Sequence, residues 1–127
     1  MIILSLAEVY ELHAKLIDAT GGSPGIRDRG RLEAAVVGCH QSFGGVDLYP
    51  TIIDKAAWMA YSICKNHPFI DGNKRVAVTA MLVMLRLNGI ALLFSQQELA
   101  ALGLGIADGS HEHGDITMWI HRHLERG

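Results

Sequence analysis

The sequence predicts an all-α protein, a compact bundle of about six helices, and three observations lead there. Apolar residues recur at helical spacing along most of the chain. Capping residues stand just before those stretches, and Gly, Pro or Asn just after them. The longest apolar run, between Arg75 and Arg86, reads as a helix that is apolar on nearly every side, as a central helix surrounded by others should be. At 127 residues the chain fits one domain, 1–127, large enough to bury a core without staples.

Ser5 caps the first helix, whose apolar face runs Leu6, Val9, Tyr10, His13, Leu16 and Ile17. Gly21-Gly22-Ser23-Pro24-Gly25 stops it. Asp28 is the expected N-cap of a second helix, with Leu32, Ala35, Val36 and Cys39 on one side. Gly44-Gly45 and Pro50 bracket the next break. Pro50 is placed in the first turn of a third helix, where its missing N–H is no loss. That helix runs to about Asn66, with Ile53, Ala56, Ala57, Ala60 and Cys64 inward. The central helix covers residues 73 to 87 and ends at Asn88-Gly89. Ile90 to Phe94 reads as briefly extended. Ser95-Gln96-Gln97-Glu98 has the capping-box pattern and opens a fifth helix through Leu99, Leu102 and Ile106, although Gly103 and Gly105 weaken it. Asp108 to Gly114 is polar and turn-rich. Asp115 is expected to cap a last helix with Ile116, Trp119, Ile120 and Leu124 inward.

Composition excludes several classes. The apolar run before Arg86 is too short to span a bilayer, and the N-terminus lacks the positive region of a signal peptide. A formal net charge of -2 argues against gripping nucleic acid by bulk charge. Cys39 and Cys64 lack paired spacing and read as buried thiols of a cytoplasmic protein.

The chemistry concentrates in His67-Pro68-Phe69-Ile70-Asp71-Gly72-Asn73-Lys74-Arg75, at the mouth of the central helix. The first N–H groups of a helix have no intrahelical partner, and its dipole is positive there, so a glycine-bearing loop at this point suits an anion. His67 supplies an imidazole able to take a proton from a hydroxyl near neutral pH. Phe69 anchors the loop. Asp71 offers the hard oxygens that Mg²⁺ prefers. Gly72 lets backbone N–H groups approach an anion, and Asn73 can bond loop backbone and phosphate oxygens. Lys74 and Arg75 oppose the helix dipole, which is easier to understand if an anion sits beside them. As a plain alternative, Asp-Gly is an ordinary turn and Lys-Arg an ordinary solvated helix start.

These nine residues resemble the signature of the Fic/Doc family, HPFx(D/E)GN followed by Lys or Gly and then Arg. The segment Gly21 to Asp28, with Gly30, Leu32 and Glu33 following, is similar to the stretch between the first two helices of the Doc-type members. The resemblance covers essentially the whole chain and implies an all-helical fold. It implies His67, Lys74 and Arg75 as catalytic groups and Phe69, Asp71, Gly72, Asn73, Lys74 and Arg75 as ATP-binding ones, with Asp71 holding Mg²⁺. Fic members move AMP from ATP onto a protein hydroxyl and carry a second arginine three residues after the first. Doc-like members have lysine in place of the Fic glycine and put the γ-phosphate of ATP on a threonine of elongation factor Tu, which stops translation. Lys74 follows the Doc-like choice, and Val78 stands where the second arginine would be, whereas Gly72 follows the Fic pattern. Phosphate transfer is therefore the expected reaction, with AMP transfer as the alternative and a non-catalytic interaction module as a second. The family's inhibitory Ser/Thr-x-x-x-Glu-Gly/Asn helix has no counterpart, since Glu98 and Glu125 lack its flanking pattern. The resemblance therefore implies a separate antitoxin partner folding into a surface groove.

Other histidines carry less. His111 and His113 lie in a polar loop near Asp115, and His121 and His123 are too close along a helix to share an ion. No HExxH pattern occurs. His13 reads as a hydrogen-bonded core residue with a minor role in substrate binding left open, and Trp58, Trp119, Met81 and Met84 read as core. Lys65 reads either as a further phosphate contact or as a solvated helix end.

Overall fold

Three of the long helices begin at a hydroxyl cap that exchanges hydrogen bonds with an acid three residues on: Ser5 with Glu8, Thr51 with Asp54 and Ser95 with Glu98. In the computed structural model, which describes residues 1–125, the order is α1 Leu6–Thr20, α2 Arg29–Val37, a 3₁₀ turn Gly38–His40, and a hairpin of β1 Ser42–Phe43 and β2 Val46–Asp47. Then come α3 Ile52–Asn66, α4 Asn73–Leu87, α5 Gln96–Ala107 and α6 His113–Arg122. No helix among the described residues is long and apolar enough to cross a membrane.

The expected all-α bundle is present, with α4 at its centre. Val76, Ala77, Val78, Ala80, Met81, Met84 and Leu85 of α4 are all buried. The helix packs most extensively on α3, and also on α5 and α1. Phe69, Leu32, Met59, Ile63, Leu102, Ile106, Ile116 and Ile120 complete the core. Cys39 and Cys64 are buried and unpaired, and burial pushes the Cys39 thiol up to about 11. The 90–94 segment runs extended and bonds to the C-terminal side of α6, Leu93 N–H to His123 O and Glu125 N–H to Ala91 O.

Several boundaries differ from expectation for local reasons. Pro50 does not enter α3. Thr51 is the N-cap, because its hydroxyl and the Asp54 carboxylate form a capping box one residue later. Asp115 does not cap α6 but sits three residues inside it, its carboxylate accepting from Glu112 N–H, so the helix starts at His113. Leu124 lies beyond the end of α6 and pairs with Leu92 in an isolated bridge. Tyr10 is 45% exposed, and Leu12 packs against the core instead. The hairpin was not foreseen. Gly44 and Gly45 take φ values of +58° and +80°, which a tight turn between antiparallel strands of the native twist requires.

Candidate active site

The motif loop runs between the end of α3 and the start of α4, and both ends are left-handed. His67 (φ 48°) closes α3 and Gly72 (φ 75°) opens α4. Positive φ is uncommon for a non-glycine residue, and His67 is the one such case among the described residues. The turn carries the ring out of the helix to an exposed position, where it makes no hydrogen bond among the described residues.

Interior contacts hold the loop from beneath. Phe69 is fully buried and stacks on His13, with centroids 3.8 Å apart and planes 6° from parallel. Asn73 is also buried; its Oδ1 accepts from Phe69 N–H at 3.0 Å and its Nδ2 donates to Phe69 O at 3.0 Å. His13, 2% exposed, bonds through Nε2 to Asp71 O at 2.7 Å. The Phe69 side chain packs beneath the loop and is not part of the cleft lining. The Asn73 side chain serves the loop backbone.

The α1–α2 segment braces the loop from outside. Arg27 and Asp28 N–H both donate to Pro68 O, and Ile70 N–H donates to Gly25 O, so Ile26 and Phe69 form an antiparallel bridge. Arg27 Nε donates to His67 O at 3.0 Å and Arg31 donates to Asn66 O at 2.8 Å. Two guanidiniums therefore meet the negative end of the α3 dipole. Arg75 donates to the Thr20 hydroxyl and to Gly21 O.

Asp71 is exposed and fixed by two backbone donors, Ser23 N–H at 3.1 Å and Gly72 N–H at 2.8 Å. Those bonds, with help from Arg75 and His13, hold its carboxyl below the usual carboxylate range. Gly22 sits against it so closely that a Cβ would come within 2.7 Å of Asp71 Oδ2. Each Asp71 oxygen keeps a lone pair, so the group can still serve as a hard ligand. Among the described residues no grouping of three or more His, Cys, Asp or Glu forms a metal cage.

His67, Ile70, Asp71, Gly72, Asn73, Lys74 and Arg75 line one cleft of ≈ 320 Å³. No side chain caps the start of α4, and its first turn holds no acid. Among the described residues, the N–H groups of the first α4 turn and the exposed Lys74 therefore have no acidic side chain bonded to them. An imidazole, a carboxylate and an uncapped helix terminus thus line one cleft, groups of the kind that transfer of a phosphorus-bearing group to a hydroxyl can use.

The expected residues converge except for the Phe69 ring. Those the sequence reading passed over are Ser23, Arg27 and Arg31, and His13 proves to be a support of the loop. For Ser23 and Arg27 the signal lay in the Gly21–Asp28 segment, whose residues pair with the motif loop 48 and 40 positions away; Arg31 and His13 lie outside it. Lys65 does not line the cleft. Nor do His111, His113 and His123. His113 Nε2 bonds to Asp54 O, and His123 bonds to Glu98 and stacks on Trp119.

Fold and motif define a protein of the Fic/Doc class, and the chain belongs to that family. The Fic/DOC family model matches residues 3–85. The chain is 45% identical over 74 residues to "Toxin Doc" of Mycolicibacterium smegmatis, an alignment covering 58% of this chain and 57% of that relative. It is 35% identical over 119 residues to "Protein kinase doc" of Escherichia phage P1, covering 94% of this chain and 93% of that one.

Proposed function

We propose that the chain, acting as one domain over residues 1–127, is a Doc-type toxin that transfers the γ-phosphate of ATP to a protein hydroxyl. The observation that carries this reading is the shared cleft, where the exposed His67 ring meets an uncapped helix terminus bearing Lys74 and Arg75. His67 takes the proton of the target hydroxyl, and the oxygen attacks the γ-phosphorus. The bond from that phosphorus to the bridging oxygen breaks, and ADP leaves with the electron pair. The α4 N–H groups, Gly72, Lys74 and Arg75 balance the charge gathered on the phosphoryl oxygens. Asp71 would hold Mg²⁺, which, when bound, neutralises triphosphate charge.

Lys74, and Val78 in place of a second arginine, favour phosphate over AMP transfer, and the relative named a protein kinase supports the same choice. The target we propose is a threonine of a translation factor such as elongation factor Tu, reached in the cytoplasm, so that translation stops. The relative named a toxin supports a paired antitoxin, a protein that covers the site from a surface groove. Expression in a bacterial host tests the toxin reading. Growth should stop with the wild-type chain and continue with His67→Ala made to the same level; equal growth arrest by both would refute it.

A further inference from the structure

One residue holds the carbonyls of His67 and of both its neighbours. Arg27 Nη2 donates to Asn66 O at 3.3 Å, its Nε to His67 O at 3.0 Å and its backbone N–H to Pro68 O at 2.8 Å. Among the described residues no carboxylate pairs with this guanidinium, so its donors are spent on backbone. The residue is itself anchored on both sides, by the bridge between Ile26 and Phe69 and by Asp28, the N-cap of α2.

The two guanidinium contacts fall on the two peptide planes that meet at the His67 Cα. The direction of the Asn66 carbonyl fixes the first plane and that of the His67 carbonyl fixes the second, so together they set φ and ψ at His67. That conformation needs holding. A helix that ends on a left-handed residue usually has glycine there, because a Cβ crowds the backbone at positive φ. Here the position is a histidine at φ 48°. A catalytic histidine is commonly aimed by a partner on its second ring nitrogen. Among the described residues the ring bonds of that kind belong to His13, His111, His113 and His123, and none to His67. The His67 ring is therefore aimed from its backbone.

Resting on the phosphotransfer reading above, we propose that Arg27 is the positioning residue of the base. Its guanidinium fork locks the left-handed turn at His67 and so delivers the imidazole to the cleft. Arg27 does not line the cleft, so it acts through His67 and not on the reacting atoms. Charge alone does not suffice: two carbonyls on successive planes call for two donors in fixed geometry, which lysine lacks.

The test takes the wild type, Arg27→Met and Arg27→Lys through two measurements. NMR reads the His67 backbone from its Cα and Cβ shifts and its amide-to-α-proton coupling, with no reference to activity. The wild type should report one left-handed residue, and in Arg27→Met those values should move toward a mixture of conformations. Transfer of label from γ-labelled ATP to protein in a bacterial lysate reads the rate. At saturating ATP, Arg27→Met should be about tenfold slower, with its half-saturating ATP concentration within about twofold of the wild type's. Arg27→Lys, which keeps the charge and one donor, should lie between the two. Arg27 is exposed, so the methionine variant should fold; if it does not, Arg27→Lys carries both measurements. An unmoved left-handed His67 in the folded variants overturns the proposal. So does Arg27→Lys at the full wild-type rate, which would make charge sufficient. A rise in half-saturating ATP that matches the fall in rate would also overturn it, since Arg27 would then act on the nucleotide. A wild type that moves no label from the γ position removes the phosphotransfer reading and the positioning role with it, while the NMR result still shows whether the clamp exists.

Discussion

His13 on α1 bonds through Nε2 to the backbone carbonyl of Asp71, 2.7 Å away and 58 residues along the chain. A carbonyl only accepts, so Nε2 carries the proton, and the tautomer follows from the contact. The same ring stacks on Phe69, so one buried side chain holds the motif loop at two points. Replacing it with alanine removes the stack and the hydrogen bond and leaves a cavity. His13→Ala should lose about 2–4 kcal/mol in chemical denaturation. A loss within ~0.5 kcal/mol, the range of ordinary surface changes, would mean that the loop is held elsewhere.

Asn73 and Lys74 are neighbours with opposite expected effects. Asn73 makes two buried hydrogen bonds to Phe69, so Asn73→Ala should cost about 2 kcal/mol of stability. Lys74 is exposed, and Lys74→Ala should leave stability within ~0.5 kcal/mol while weakening tripolyphosphate binding about tenfold. Denaturation curves and binding isotherms on the two variants separate scaffold from site. Equal behaviour of the pair in both assays would contradict the division.

The Asp71 carboxyl titrates below its ordinary 3.8 because Ser23 and Gly72 N–H groups, then Arg75 and His13, favour the ionised form. A depressed folded value gives stability that is fully present above 3.8 and is lost as the pH falls from there through the folded value. The wild type should therefore lose more stability than Asp71→Asn on acidification across that window. Parallel stability–pH curves for the two proteins would show that the backbone donors do not act on Asp71.

The glycines of α5 should answer differently to alanine. Gly103→Ala meets only ordinary contacts and gains helix propensity, so it should stabilise by up to ~1 kcal/mol. Gly105→Ala collides with His111 and should destabilise by about 1–3 kcal/mol despite the same propensity gain. Thermal or chemical unfolding of the two variants distinguishes them. Destabilisation by Gly103→Ala as large as that by Gly105→Ala would mean that Gly103 is needed for packing.

The helices were legible because each carries its own local signals: a hydroxyl cap such as Ser5 or Ser95, an apolar face, and a glycine or asparagine stop. Pro50 misled because the Thr51–Asp54 capping box one step later determines where α3 starts. Asp115 misled in a similar way, since an acid near a helix start can sit at the cap or three residues inside it. The hairpin was silent because its strands have two residues each and are fully exposed, which leaves no alternation to read. Within the site, the contiguous letters from His67 to Arg75 could be read together. His13, Ser23, Arg27 and Arg31 could not be placed, because their hydrogen bonds to the motif loop and the end of α3 form only in the folded chain. Phe69 was legible as an anchor, and it is fully buried beneath the loop.

The central claim is that His67 activates a hydroxyl for attack on the γ-phosphate. It is tested most directly by incubating the protein with a bacterial lysate and ATP labelled at either the α or the γ phosphate, with His67→Ala alongside. Label should reach a protein target from the γ position only, and disappear with His67→Ala. Label arriving from the α position, or transfer by His67→Ala at the wild-type rate, would contradict it.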